Sequence, residues 1–353
     1  MTDCPKLEDL EVLNKTGIIR VDLDAVLDDE VEPRKNLRLL VVKPTVDYLF
    51  QKGASSLILV AHYGRPEGKV VPELSLKSLV QPLKDVLERD VFFIDGLNFD
   101  EIARLKEEKK GNQSVFLLEN LRFWAGEESN DINFAKSLAS LSDFYVNEAF
   151  ASSHRDHASI VSLPKLLPSA LGLRFEKEVE NLSRLFESQE RPVVIIVSGT
   201  KKDKLDYLDG LSKIADMVLI GGRFPDYLPD DSIYRRDNRF LVARLNPDKE
   251  DITIHSIEDF EREIRRAKTI ALIGPIGKYE EEGHRLGTKR VFEAVANSST
   301  FKIAGGGDTI KAIEMFSIAS KFDWISVGGG AVLEFLTKRT LPGIKALETK
   351  SDS

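Results

Sequence analysis

The chain of 353 residues has a single cysteine, Cys4. That excludes an intrachain disulfide and a cysteine-built metal cage. It also suits a reducing compartment, so a cytoplasmic location is expected. Cys4 is a poor candidate nucleophile, because it sits at a terminus where chains fray. No apolar run approaches the roughly 20 residues of a membrane-spanning helix, so no membrane partner is expected. The opening Met1-Thr2-Asp3-Cys4-Pro5 does not read as a signal peptide. Positive charge is in deficit, with 50 Lys and Arg against 58 Asp and Glu. The net charge of −8 argues against a nucleic-acid-binding surface as the main business. It leaves room for an anion site, which needs only a local basic cluster. Two nucleotide signatures are missing: no Gly-x-x-x-x-Gly-Lys-Ser/Thr, and no Gly-x-Gly-x-x-Gly opening a helix after a strand.

What is present describes a globular protein, 42% hydrophobic and 31% charged. The length exceeds one small core and predicts two domains. Short, nearly continuous apolar segments alternate with amphipathic ones, the pattern of doubly wound parallel sheets. The spacing predicts a strand over 17–23 and a helix over 37–52 kinked at Pro44. Arg20, Asp22 and Asp24, at period two, are expected to share one face of that strand. Weaker strand candidates include 252–255, which would place His255 at a strand end. An amphipathic run over 176–187 reads as a helix joining the halves. The expected division is therefore 1–170, a connecting helix within 171–190, and a second domain over 191–339.

In sheets of this kind, ligands bind beyond the carboxyl ends of the strands. Arg20 lies near the end of its strand, and Arg38 starts the following helix. His62, Arg65, Arg122, His154 and Arg155 all follow strand ends. A single surface Arg means little. Seven such groups on one side of one half predict a site for an anionic metabolite, most simply a phosphate ester.

The second half carries glycine turns directly after strands. Phe301 to Ala304 reads as a strand, followed by Gly305-Gly306-Gly307 and a helix opening with Asp308 and Thr309. Adjacent glycines let the backbone approach a ligand, and the helix N-terminus offers free N–H groups to phosphates. Asp308 could hold a magnesium ion beside them. A tight strand-to-helix turn with an ordinary cap has the same local look. Together with the loop at Lys201 and Lys204 and the turn at Gly221, the pattern predicts a nucleotide held by backbone groups and lysines.

Taken jointly, these motifs resemble the phosphoglycerate kinase family over nearly the whole chain. The resemblance rests on Arg20-Val21-Asp22, His62-Tyr63-Gly64-Arg65-Pro66, Glu119-Asn120-Leu121-Arg122-Phe123 with Gly126-Glu127-Glu128, and the segment from Asn147 to His157. It rests also on Gly274-Pro275-Ile276-Gly277, Gly305-Gly306-Gly307-Asp308-Thr309, Gly328-Gly329-Gly330 and Leu341-Pro342-Gly343, the last implying that 340–353 returns to the first domain. The resemblance implies two Rossmann-like domains joined by a helix. It implies phosphoryl exchange between ATP and 3-phosphoglycerate, giving 1,3-bisphosphoglycerate and ADP with Mg2+. On this reading Arg20, Asp22, Asp24, Arg38, His62, Arg65, Arg122, His154 and Arg155 hold the phosphoglycerate. Lys201, Lys204, Gly221, Glu280, Gly305, Gly306, Gly307 and Thr309 line the nucleotide, and Asp308 takes the metal. Arg38, Lys204, Gly306 and Gly307 are the groups expected at the migrating phosphoryl group, and a monomer is expected.

The chain departs from the family in places. Lys201 and Lys204 are three apart where the family has four. Asp24 replaces an Asn, Glu148 an Asp, and Ile273 the Asn before Gly-Pro. Arg223-Phe224-Pro225 follows Gly221-Gly222 where small residues are usual, and the span to Gly274 is short. These departures, most of them on the nucleotide side, also fit a paralogue that binds a phosphometabolite without turnover.

Overall fold

A computed structural model describes residues 4–24, 36–97, 102, 104, 108, 113–187 and 190–348. Among them the strands form two parallel six-stranded sheets, each within its own compact unit. The fold is α/β, and the units are joined by a helix. The first unit comprises Met1–Glu178 and Leu341–Ser353, the second Val179–Thr340. Of the segment 340–353 expected to return to the first domain, residues 349–353 lie outside the described residues.

The first sheet contains β1 (Thr16–Arg20), β2 (Ser56–Val60), β3 (Val91–Ile94), β4 (Ser114–Leu118), β5 (Phe144–Asn147) and β6 (Ser169–Leu171), in the order β3-β4-β2-β1-β5-β6. Every residue of β1, β2, β4 and β5 is buried. Covered on both faces, such strands need apolar side chains throughout, hence Ser56-Leu57-Ile58-Leu59-Val60. The chain leaves β1 to one side for β2 and returns on its other side as β5, paired Gly17 to Phe144 and Arg20 to Asn147. The carboxyl ends of β1 and β5 therefore flank the crevice where such a sheet binds its ligand.

The second sheet contains β7 (Val193–Val197), β8 (Met217–Ile220), β9 (Phe240–Val242), β10 (Thr269–Ile273), β11 (Phe301–Gly305) and β12 (Trp324–Ser326). Its order, β9-β8-β7-β10-β11-β12, is the dinucleotide-fold order 3-2-1-4-5-6. The switch point falls between β7 and β10, whose registers run Thr269 to Val193 through Ile273 to Val197.

Several local expectations change. The strand over 17–23 stops at Arg20, so Asp22 and Asp24 lie in the following loop and do not share a strand face with it. The single helix over 37–52 becomes two, Leu37–Leu40 and Lys43–Gln51. Pro44 sits in the first turn of the second, where its missing N–H is not needed. The strand over 252–255 is replaced by the helix Ile254–Arg266, because the Thr253 hydroxyl accepts from the Ser256 amide and caps it. His255 is consequently an exposed residue of a helix. The run over 176–187 is helical earlier than expected, as Leu173–Ser183. No helix among the described residues is long and apolar enough to cross a membrane.

Candidate active site

Arg20 ends β1 as a fully buried cation. Its Nε donates to Ser159 Oγ at 2.9 Å, one terminal nitrogen donates to the Val21 carbonyl, and the other lies 2.6 Å from His62 Nδ1. Ser159 in turn donates to Glu127, from Oγ at 2.6 Å and from its amide at 3.0 Å. Burial pushes the Glu127 carboxyl up, and the Arg20 charge pulls it back. A buried charge is tolerated only when paired and hydrogen-bonded, and this network does both. Asp22 accepts from the Ala151 amide at 2.7 Å and from the Ser152 hydroxyl, so it fixes the loop after β5.

Asn120 organises the neighbouring loop. Its side chain accepts from the Arg122 and Tyr63 amides and donates to the Tyr63 and Leu74 carbonyls. This ties the turn of Arg122 to the turn of His62. Arg122 is buried, donates to the Gly64 carbonyl at 2.6 Å, and its Nε lies 3.1 Å from Glu128. Asp24 accepts from the Gly64 amide at 3.0 Å and stands 3.7 Å from His62 Nε2. Burial would raise the Asp24 carboxyl, but His62, the Gly64 amide and the charge of Arg38 outweigh it and hold it well below the carboxylate range.

The cations crowd one another. Burial, then the charge of Arg155, pushes Arg122 down to about 10. Arg155 is lowered by burial, with Arg20 and Arg65 adding to the effect and Asp24 opposing it. His157 falls to about 3, through burial and then the charges of Arg20, Arg122 and Arg155, with His154 contributing. His62 is depressed well below its ordinary value, chiefly by burial. Both imidazoles are therefore neutral at physiological pH. The crevice thus gathers Arg20, Arg38, His62, Arg65, Arg122, His154 and Arg155, with an electrostatic deficit that an anion would relieve.

Sequence reasoning passed over Glu127, Ser159, Tyr145 and His157 as site residues. Tyr145 donates to the Ser159 carbonyl at 2.8 Å, under the arginine floor. Glu127 and His157 stood inside quoted motifs. Ser159 and Tyr145 gave no signal, since an apolar-strand Tyr and a lone Ser are ordinary core residues.

In the second unit the groups converge at the switch point. Gly306, at φ 105°, is in a region open to glycine but not to ordinary side chains, and it caps the helix Gly307–Met315. Asp308 is exposed in that helix's first turn, whereas Thr309 is fully buried. The Thr309 hydroxyl accepts from the Gly274 amide at 2.8 Å and donates to the Gly305 carbonyl at 2.8 Å. It straps β10 to β11, and its hydroxyl is already engaged. Lys201 caps the 3-10 turn Lys202–Tyr207 and is exposed. Lys204 is half-buried with its Nζ beside Gly199. Burial lowers its ammonium, Asp308 raises it and Lys201 lowers it again. The two lysines therefore differ in exposure, and the charge of Asp308 bears on Lys204.

A cavity of about 470 Å³ opens here, lined by Gly199, Gly222, Arg223, Gly277, Tyr279, Glu280 and Asp308. Gly221 stands behind it, packed against Ile276. A larger cavity of about 910 Å³ opens at the amino ends of β10 and β11, lined by Thr269, Phe301 and the ion-paired Arg290 and Glu261. Its size does not make it the site, since ligands of such sheets bind at the opposite ends of the strands. Among the described residues no group of three or more His, Cys, Asp or Glu side chains is assembled for a metal. Asp308 alone, beside a phosphate-type turn, matches the habit of magnesium, which takes one or two carboxylates and completes its shell with phosphates and water.

Comparison with known proteins gives the family. A family profile described as Phosphoglycerate kinase matches residues 7–228 and 227–339. The chain is 33% identical over 392 positions to the phosphoglycerate kinase of Finegoldia magna, covering 98% of this chain and 99% of that one. It is 34% identical to that of Moorella thermoacetica, over 98% and 99% of the two chains. These alignments are longer than the chain, so the relatives carry residues that it lacks. Among solved structures, phosphoglycerate kinase from Pyrococcus horikoshii matches with a TM-score of 0.81 at 27% identity, covering 97% of this chain and 98% of that one. The enzyme from Coxiella burnetii matches with a TM-score of 0.76 at 27% identity, covering 98% of each chain. With the profile and the relatives spanning both units, the chain belongs to the phosphoglycerate kinase family.

Proposed function

We propose that the protein catalyses the reversible transfer of the γ-phosphoryl group of ATP to the carboxylate of 3-phosphoglycerate, giving 1,3-bisphosphoglycerate and ADP. The observation that carries the reading is the contrast of charge between the two crevices. One has a cluster of guanidinium groups that depress one another, the other a glycine turn with a lysine and one exposed carboxylate.

The acceptor carboxylate is ionised at neutral pH, so no general base is needed. One carboxylate oxygen forms a bond to the γ-phosphorus, the bond to the bridging oxygen breaks, and ADP leaves with that electron pair. No proton moves. What remains for the protein is alignment and charge stabilisation. Arg20, His62, Arg65, Arg122, His154 and Arg155 would bind and orient the phosphoglycerate, with Asp22 and Asp24 fixing the loops that carry them. Gly221 and Glu280 would line the base and ribose. The amides around Gly305, Gly306 and Gly307 would cradle the phosphates, with Thr309 bracing that turn. Lys201 and Lys204 would neutralise phosphate charge. Magnesium on Asp308 would supply further charge neutralisation at the nucleotide phosphates. Arg38 and Lys204 are the groups assigned to the migrating phosphoryl oxygens. Because the two half-sites belong to different units, transfer requires a closure that brings them together and excludes water.

The test is ADP formation with magnesium, ATP and 3-phosphoglycerate, with the bisphosphate drained by a coupled reduction. Turnover dependent on 3-phosphoglycerate is expected. Binding of 3-phosphoglycerate by calorimetry without any ADP formation would replace this reading with that of a non-catalytic binding paralogue.

A further inference from the structure

The helix Leu173–Ser183 carries the chain across the boundary, with Glu178 the last residue assigned to the first unit and Val179 the first of the second. Its start is held from outside the helix. Three other helices, Leu37–Leu40, Ile132–Ala139 and Ile254–Arg266, are capped by a short side chain at their own N-cap, Asn36, Asp131 and Thr253. Here the cap is a carboxylate from another element, Glu148, which directly follows β5 and is 4% exposed. It accepts from the Arg174 amide at 3.1 Å and the Phe175 amide at 3.0 Å. It also accepts from the Thr45 hydroxyl at 2.5 Å, and that hydroxyl in turn accepts from the Leu173 amide at 3.0 Å. The carboxylate and its relay thus serve three successive amides of the first turn. The fit is close: a Cβ on Gly172 would stand 2.1 Å from Glu148 Oε2.

The same residue touches the arginine crevice. The Glu148 amide donates to the Arg20 carbonyl at 2.9 Å, at the end of β1. Thr45 lies on the helix Lys43–Gln51, directly after the short helix that begins with Leu37 and Arg38. A displacement of either arginine segment has a short covalent and hydrogen-bonded route to the start of the boundary helix. We propose that Glu148 is a positioning residue that couples the state of the arginine crevice to the boundary helix, its side chain holding the helix start.

Hydrogen bonding taken alone favours the ionised form. A carboxylate accepts from all three donors, whereas a protonated carboxyl would point its own O–H at one of them. Burial pushes this carboxyl up to about 7, with Thr45, Phe175 and Arg174 opposing. The charge bearing on it is Arg174, itself 3.1 Å from Glu178. From the helix Lys43–Gln51 it faces the neutral Thr45 hydroxyl, and the Asn147 carbonyl beside it already accepts from Gly172. Both charge states are therefore accessible near neutrality, and ionisation is what weakens the held state, because burial makes the charge costly.

The test uses the full chain with Glu148→Gln, Glu148→Asp and Thr45→Ala. Amide hydrogen exchange, corrected for intrinsic rate, is followed across the segment 172–176 from about pH 6 to about pH 8. In the unmodified protein, protection there is expected to fall as pH rises through about 7, because the held carboxyl binds its proton more tightly than an opened one. Glu148→Gln should lower that protection about tenfold and remove its pH dependence. Glu148→Asp should keep the pH dependence. The kinetic arm rests on the function proposed above. There kcat should fall about tenfold in Glu148→Gln while KM for 3-phosphoglycerate moves less than about twofold. If Glu148→Gln does not fold, Thr45→Ala should show the same loss of protection with the titration retained. Exchange in Glu148→Gln that matches the unmodified protein at every pH would overturn the proposal. So would a variant that changes KM and kcat equally. If the unmodified protein turns over no phosphoglycerate, the proposed function fails and the exchange arm still decides the role of Glu148.

Discussion

The two sheets prepare their crevices by different means. In the first unit the crevice is built from long charged side chains, buried and hydrogen-bonded to one another, with Arg20, His62 and Arg122 among the least exposed polar groups of the chain. In the second it is built from backbone, with glycine turns after the strands and a single half-buried lysine. The two would fail in different ways. A side-chain site is lost by charge removal and is coupled to stability, because its charges are structural. A backbone site is lost by adding a Cβ and tolerates much change in the residues around it.

The largest expected effect tests whether each half is needed for chemistry. Arg38→Ala and Lys204→Ala should each lower kcat by about 10²–10³-fold, the range for removing a donor to developing charge. Neither is a core residue, so urea midpoints should stay within error. An equal loss of kcat from Lys201→Ala would show that the half-buried lysine is not the privileged one.

Next in size is the price of a structural cation. Arg20→Met strips the partner from buried Glu127 and should destabilise the first unit by about 3–5 kcal/mol. The measurement is urea unfolding followed by fluorescence, with the second unit's transition unmoved. A loss below about 1 kcal/mol, the range of an exposed ion pair, would show that the network is not structural.

The counterpart in the second unit is Gly306→Ala. The φ of 105° disfavours any side chain and should cost about 1–3 kcal/mol locally. KM for the nucleotide should rise while calorimetric binding of 3-phosphoglycerate is unchanged. A change in phosphoglycerate affinity would break the separation of the two crevices.

The smallest effect is on the acid limb of stability. The His157 pKa is depressed to about 3, below its ordinary value of 6.5. The unfolded chain therefore takes up a proton first, and stability present above about pH 6.5 is lost as pH falls toward 3. His157→Gln should flatten that part of the stability curve, read as the pH dependence of the urea midpoint. An unchanged slope would mean that other groups set the limb.

Much of this was legible in the sequence. Continuous apolar strands and glycine turns give doubly wound sheets, and arginines just past strand ends must gather on one side of such a sheet. The misreadings have local causes. The segment 252–255 has strand-like residues, but Thr253 and Ser256 make a helix start. Pro44 suggested a kink inside one helix and in fact begins a second. Asp22 and Asp24 fit a period-two strand, but the strand stops once β1 has used its partners.

The sequence by itself determined the alternation of elements, the family and the identity of the charged groups, because these depend on periodicity and on residues near one another in the chain. Tertiary structure alone decided how those charges are satisfied. Glu127 beneath Arg20, Thr309 strapping β10 to β11, and Glu148 at the start of a helix 25 residues away are contacts between distant segments. They follow from which strand ends lie side by side, and no local pattern encodes that.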